Sequence, residues 1–333
     1  MSGKKNVLVT GGAGFIGSHV VDLLIEQGHQ VTVIDNFSTG RPENLAHLKN
    51  YSQLNLVQAD INDPRTAKLY QGINWVIHLA ALADIVPSIV HPLEYHHANV
   101  NGTVRVLEFS RAAGIERFLY SASSSCYGIP DEYPTKETAE IRCQYPYATT
   151  KNLGEQYVMS WGQIYKMPVV SVRFFNVYGT RSRTSGTYGA VFGVFLAQKL
   201  NNKPFTVVGD GNQSRDFTYV SDVALAVVEA AASDIKNEIM NIGSGNHYTV
   251  NQLVKYLEGP VTYIPKRPGE PDITFADTSK IQRLLGWKPK VTFEQGVKEV
   301  LKNIDYWRNA PVWNPDNIKE ATKDWFKYLG DRN

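Results

Sequence analysis

The sequence predicts an α/β chain, with a doubly wound parallel sheet in residues 1–175 and a smaller second lobe in residues 176–333. Three observations carry this expectation. Short apolar segments alternate with helical stretches up to about residue 175, and a glycine-rich turn joins the first strand to the first helix. After residue 176 the rhythm changes, and loops rich in Gly, Thr, Ser and Arg separate shorter elements. Strands that alternate with helices argue for parallel pairing, because each crossover helix covers one face of the sheet.

Taken in order, VLVT (7–10) is the first strand and the apolar stretch near 15–28 the first helix. QVTVID (30–35), LNLVQAD (54–60), WVIHLAA (75–81), RFLYSAS (117–123) and VVSVRFF (169–175) read as the next five strands. Helices near 93–113 and 146–165 fill two of the longer gaps. Beyond residue 176 the loops GTRSRTSGTYG, GDGNQSRD and PKRPGEPD suit a lobe that caps a substrate, with some later segments returning to the first domain. The tail from Pro311 carries Trp313, Trp325, Phe326 and Tyr328 and reads as a helix docked on the body, with no legible role.

The 333 residues are 43% hydrophobic and 20% charged, enough apolar content to bury a large core. Net charge is +2, and no basic run extends beyond Lys4 and Lys5, so neither a nucleic-acid groove nor a membrane-binding face is expected. The first apolar run is too short for a signal peptide, and no segment approaches 18 apolar residues. Two cysteines, Cys126 and Cys143, suit a reduced cytoplasmic protein without disulfides. No metal is expected: His91, His96 and His97 cluster in sequence but sit beside Pro92 and at a helix start, where solvated or capping roles suffice.

The glycine turn is the most informative segment. In VLVTGGAGFIGSH, Gly11, Gly14 and Gly17 have G-x-x-G-x-x-G spacing, with Phe15 and Ile16 opening the helix. Such a turn brings backbone N–H groups and a helix N-terminus close to a pyrophosphate. Asp35, at the end of the second strand, lies 18 residues after Gly17. An acid there accepts from adenosine ribose hydroxyls and repels a 2′-phosphate, so NAD is expected over NADP. Asp60 and Ile61 after the third strand, and Leu79, Ala80 and Ala81 closing the fourth, would line the crevice at the strand ends. This is a Rossmann-type arrangement.

Tyr147 and Lys151 in YPYATTK lie four residues apart at a predicted helix start, hence on one face. A tyrosine with a pKa near 10 is a poor base at neutral pH, and a neighbouring ammonium favours its phenolate. The same pair could be a plain surface turn. The upstream glycine turn and the serine run 123–125 favour the catalytic reading.

With these residues in hand, the chain resembles the extended short-chain dehydrogenase/reductases that act on nucleotide sugars as epimerases, dehydratases and decarboxylases. The resemblance rests on TGGAGFIGSH, DNFSTG, HLAA, NVNGT, SASSSCYG, YPYATTK, RFFNVYG, QSRDFTYVSDV and RPGEPD, spread over nearly the whole length. It implies NAD contacts from Asn36, Ser38, Thr39 and Asn99, and from Tyr147 and Lys151 through the nicotinamide ribose. Ser123 takes the position of the catalytic Ser/Thr. Where the 4,6-dehydratases carry an Asp-Glu pair, this chain has Ser124 and Ser125, and the decarboxylases usually keep a Glu at the position of Ser125. Both reactions are therefore disfavoured, and SSSCYG looks most like the 4-epimerases of N-acetylated or acidic UDP-hexoses. Cys126 lies one residue beyond the acid–base cysteine of the mannose 3,5-epimerases and reads as packing.

The resemblance also assigns Arg215 and Arg267 to the diphosphate and uridine side, Asn176 to a diphosphate oxygen or the sugar, and Glu270 to a ribose hydroxyl. Thr274 aligns with a gate that is small where an N-acetyl group must fit. Each could instead serve as a salt bridge or cap. The implied reaction is 4-epimerisation of UDP-GlcNAc/GalNAc or a related UDP-hexose through a 4-keto sugar, with Tyr147 as base and Ser123 as hydrogen-bond partner. Homodimers and a place in polysaccharide biosynthesis go with it. The alternatives are a hexose or heptose 4-dehydrogenase that releases the keto sugar, a decarboxylase or dehydratase, and a non-catalytic NAD-binding protein.

Overall fold

The computed structural model describes residues 3–182 and 188–330, so the middle of the expected 179–189 loop lies outside the described residues. The strands are β1 (Asn6–Thr10), β2 (Gln30–Asp35), β3 (Leu54–Gln58), β4 (Trp75–His78), β5 (Arg117–Ser123), β6 (Val169–Phe174), β7 (Asn176–Tyr178), β8 (Phe205–Val208), β9 (Ser214–Arg215), β10 (Phe217–Tyr219), β11 (Glu238–Ile242), β12 (Tyr248–Thr249) and β13 (Val261–Ile264). Seven of them form one parallel sheet in the order β11-β6-β5-β4-β1-β2-β3. Strand order reverses between β1 and β4, the place where a doubly wound sheet opens a crevice.

Side-chain alternation builds a core on each face. Val7, Val9, Val31, Val33 and Ile77 point to one side, against α1 (Phe15–Glu26). Leu8, Ile34, Val76, Phe118 and Tyr120 point to the other. There they meet Val106 and Leu107 of α4 (Gly102–Ala113) and Val158 of α5 (Pro146–Ile164); α2 (Ile85–Val90), α3 (Pro92–His96) and a π-turn at His97–Asn101 lead into α4. The chain continues through α6 (Val191–Leu200), α7 (Val220–Ala232), α8 (Val250–Leu257), α9 (Ser279–Leu285), α10 (Phe293–Lys302), α11 (Pro315–Ala321) and α12 (Lys323–Leu329).

Two features depart from the expected strands. Residues 59–60 and 79–81 leave the sheet rather than extend β3 and β4, and line the cleft at the strand ends. A seventh strand, β11, pairs with β6, and α7 contributes Val223, Ala224, Val227 and Val228 to the same apolar cluster as α1. The second lobe is built on two-stranded pairings, β8 with β13, β7 with β10 and β9 with β12. Its core is aromatic, with Phe192, Phe195, Phe205, Phe217, Phe293, Trp307 and Trp325 buried.

One buried ion pair fixes the helix that matters most. Glu155 on α5 accepts from Arg173 on β6 at 2.5 Å, with both side chains about 5% exposed or less. Arg173 also donates to the Tyr127 hydroxyl at 2.9 Å. Breaking one side of such a pair strands a buried charge, so α5 is held firmly against the sheet.

Candidate active site

A cleft of about 670 Å³ runs between the C-terminal ends of the sheet strands and the second lobe. Its floor is the glycine turn. Gly11 has φ +71°, and a Cβ there would stand 2.7 Å from the Ala80 nitrogen, while one at Gly17 would collide with the Gly11 carbonyl. The close backbone approach therefore requires glycine at both positions. Gly14 caps α1 and no side chain accepts from its first turn, which leaves N–H groups for an anion. Phe15 and Ile16 stand beside it on the cleft wall.

At the end of β2, Asp35 accepts from the Ala13 N–H at 3.0 Å and the Phe37 N–H at 2.9 Å. Burial pushes its carboxyl above the ordinary range, and those two backbone bonds pull the other way. A carboxylate has about four acceptor sites, so two remain for ribose hydroxyls. Asn36 donates to Asp60 at 3.0 Å, and Asp60 accepts from the Asn62 N–H at 2.7 Å, tying the two strand-end loops together. Ser38, Thr39, Ile61, Leu79, Ala80 and Ala81 line the same end of the cleft. These residues fit a dinucleotide: a bare backbone floor, a free helix N-terminus, and a carboxylate with capacity to spare.

Expected to touch the cofactor, Asn99 is 1% exposed and outside the cleft wall. Its amide accepts from the Leu82 N–H and donates to the Leu82 carbonyl and the Thr150 hydroxyl, all within 3.0 Å. With its hydrogen-bonding capacity used inside the chain, it fastens the loop after β4 to α5.

Ser123 ends β5, and Tyr147 and Lys151 occupy the first turns of α5. All three meet in the cleft. The Ser123 hydroxyl accepts from the Ser125 N–H at 3.2 Å and from the Ser125 hydroxyl at 2.9 Å. Burial pushes the Tyr147 phenol up, and a hydrogen bond with Ser123 opposes that rise. Lys151, 4% exposed, holds its Nζ 4.6 Å from the Tyr120 ring centroid. Burial brings its ammonium down to about 7, against the pull of Glu155.

Ser124 and Ser125 also line the cleft. Cys126 does not; it packs with Tyr127, Phe175 and Ala276, and burial pushes its thiol up to about 12. No Cys/His/Asp/Glu group among the described residues could hold a metal.

The second lobe faces this constellation with a charged cluster. Arg215 donates to Glu270 at 3.0 Å, and Arg267 stands 3.7 Å from the other Glu270 oxygen. Burial by itself would raise the Glu270 carboxyl, but Arg267 and Arg215 hold it below the ordinary carboxylate range. Two guanidinia around one carboxylate leave an excess of positive charge facing the cleft. Asn176 and Thr274 are joined by a 2.7 Å bond from the Thr274 hydroxyl to the Asn176 amide oxygen. The structure also brings in Tyr145, Tyr188, Trp313, Trp325, Arg181 and Tyr306, which the sequence reading did not assign. The aromatic tail was a visible signal, but nothing in the chain order says where a tail docks.

The chain matches the profile of the NAD dependent epimerase/dehydratase family over residues 7–243. It is 33% identical over 311 residues to the UDP-glucose 4-epimerase of Mycolicibacterium smegmatis, covering 91% of this chain and 98% of that one. It superposes with a TM-score of 0.86 on the UDP-N-acetylglucosamine 4-epimerase of Methanobrevibacter ruminantium in complex with UDP-N-acetylmuramic acid, at 35% identity, covering 92% and 98% of the two chains. A TM-score of 0.84 relates it to the UDP-glucuronic acid 4-epimerase of Bacillus cereus in complex with UDP-glucuronic acid and NAD, at 31% identity and 91% and 99% coverage. By profile, sequence and fold together, the chain belongs to the NAD dependent epimerase/dehydratase family.

Proposed function

We propose that this chain is an NAD-dependent 4-epimerase of a UDP-hexose, with UDP-GlcNAc/GalNAc or a similarly decorated sugar as substrate. The observation that carries this reading is one cleft holding the Ser123–Tyr147 pair between a dinucleotide floor and the Arg215–Glu270–Arg267 cluster. The relatives include 4-epimerases of UDP-glucose, UDP-N-acetylglucosamine and UDP-glucuronic acid.

In this reading the Tyr147 oxygen takes the proton from the sugar 4-hydroxyl while Ser123 hydrogen-bonds the same oxygen. The glycine turn and Asp35 would hold NAD, which would supply a reversible hydride acceptor for C4. Lys151 holds the nicotinamide ribose and adds positive charge beside the phenol. Arg215 and Arg267 bind the diphosphate, whose oxygens suit a planar guanidinium fork, and act as the pivot about which the 4-keto sugar turns over. The hydride would then return to the opposite face of C4 while Tyr147 returns the proton to the O4 oxygen. Ser124 and Ser125 are hydroxyl residues, so neither supplies the carboxyl that water elimination or decarboxylation would use. The small Thr274, tied to Asn176, leaves room for an N-acetyl group.

Residues 1–175 then serve as the NAD lobe and 176–333 as the sugar-nucleotide lobe, with 238–242 returned to the first sheet. The same reading includes a homodimer through the outer faces of α4 and α5, where Tyr157, Ile164 and Tyr165 are exposed. It also places the enzyme in the cytoplasm, supplying a nucleotide sugar for polysaccharide assembly. No helix among the described residues is long and apolar enough to cross a membrane.

The test is proton NMR of the protein with UDP-GlcNAc, UDP-GalNAc, UDP-glucose and UDP-glucuronate, following absorbance at 340 nm in parallel. A C4-epimer signal without accumulating NADH supports the reading. Tyr147→Phe should then lower turnover by about 10²–10⁴ while UDP binding persists. NADH rising in proportion to sugar consumed would make the chain a dehydrogenase, and unchanged turnover in Tyr147→Phe would remove Tyr147 as the base.

A further inference from the structure

We propose that Trp325, on the C-terminal helix α12, is a positioning residue that couples the diphosphate anchor Arg267 to the catalytic Tyr147. This deepens the epimerase reading above and rests on it for the roles of those two residues. Trp325 lies beyond the family profile, which ends at residue 243. Nonetheless its indole, 1% exposed, sits in the cleft wall, with Arg267 on one side and Tyr145 on the other.

Toward the diphosphate end there are two independent contacts. The indole Nε1 donates to the Pro268 carbonyl at 2.7 Å, which pins the backbone of the loop carrying Arg267 and Glu270. The Arg267 guanidinium carbon is 5.5 Å from the Trp325 ring centroid and 5.0 Å from that of Tyr188, so the cation lies within reach of two aromatic faces. Toward the sugar end, the Tyr145 ring is 6.1 Å from Trp325. Tyr145 in turn is parallel to Tyr147 within 5°, at 6.5 Å between centroids. Tyr145 is also the N-cap residue of α5, whose first turn carries Tyr147.

A guanidinium held by rings and a carboxylate meets an incoming diphosphate already oriented, so less side-chain freedom is lost on binding. A phenol backed by a fixed neighbouring ring keeps its oxygen in register with Ser123. The competing account is that Trp325 merely fills the core of the second lobe. The two accounts differ over whether volume or an aromatic face is what matters.

The test compares Trp325→Phe with Trp325→Leu, both apolar, with NAD content and melting temperature measured on each. The aromatic account expects Phe, which keeps a ring over Arg267 but gives up the indole N–H to the Pro268 carbonyl, to retain clearly tighter UDP affinity and a lower KM than Leu. Leu should weaken both by about tenfold, the scale of a buried cation–π contact. Leu should also lower kcat and displace the acid limb of its pH profile, because Tyr145 and Tyr147 lose their backing. Equal UDP affinity and equal pH profiles for Phe and Leu would overturn the proposal and leave Trp325 as filler. UDP affinity, read by calorimetry with UDP itself, needs no turnover. A protein that binds UDP but epimerises no hexose would therefore fail the functional reading while the Phe–Leu comparison still decides this one.

Discussion

Lys151 is a cation with little water around it, and its burial has a thermodynamic consequence. Its ammonium titrates near about 7 in the fold, whereas an unfolded lysine titrates near about 10.4. Between those values the unfolded chain binds the extra proton, so this residue's contribution to stability rises with pH across that window. Below about 7 the fold carries a buried charge. In cofactor-free protein, Lys151→Met should therefore melt several degrees higher than the unaltered chain at pH 6, with the gap closing as pH approaches 10. Scanning calorimetry at four pH values checks this, and a gap independent of pH would contradict the burial argument. At this scale the pairing of Tyr147 with Lys151 was legible, because a four-residue spacing on a helix is local geometry, whereas Ser123, on β5, was singled out through the resemblance. The place of Asn99 was not legible, because its partners Leu82 and Thr150 come from distant segments.

Among elements, α8 and α10 of the second lobe each begin with a complete capping box. In α10, the Thr292 hydroxyl accepts from the Gln295 N–H at 3.3 Å, and the Gln295 side chain accepts from the Thr292 N–H at 2.9 Å. That cap sets the entry of a helix that buries Phe293, Val297 and Val300 in the aromatic core. Thr292→Ala should cost about 1 kcal/mol, and Thr292→Ser much less. In urea this would be read as a lower midpoint with an unchanged slope. An effect within error would mean that packing rather than the cap holds α10. Six of the seven sheet strands were readable from their apolar runs. The seventh, EIMNI at β11, was not, because five residues with Glu and Asn among them look like a strand only once β6 is beside them. The strands expected to run to residues 60 and 81 stop at Gln58 and His78, because residues 59–60 and 79–81 leave the sheet at the C-terminal strand ends and line the cleft.

For the molecule as a whole, the outer face of α5 presents Tyr157, Ile164 and Tyr165 at 40%, 65% and 48% exposure, away from the cleft residues Tyr147 and Lys151. If this face is the dimer contact, light scattering should give twice 37.2 kDa for the unaltered chain and a single 37.2 kDa species for Ile164→Glu. A monomeric unaltered chain would dismiss the homodimer. The two lobes are also joined directly across the cofactor end of the cleft. Arg181 pairs with Asp22 on α1 at 2.7 Å, and the Tyr306 hydroxyl donates to Asn44 at 2.9 Å. Asn44 donates in turn to the Ala13 carbonyl of the glycine turn at 2.9 Å. By itself the sequence determined the parallel sheet, the dinucleotide turn with its acid, and the Ser–Tyr–Lys set. Those are local patterns of periodicity, glycine spacing and side-chain chemistry, in which each residue's meaning is set by near neighbours. Only the tertiary structure decided that Asn99 braces a loop, that burial raises the Tyr147 phenol, and that Trp325 joins the cleft wall. Each of these depends on residues far apart in the chain, whose contacts exist only once the chain has folded.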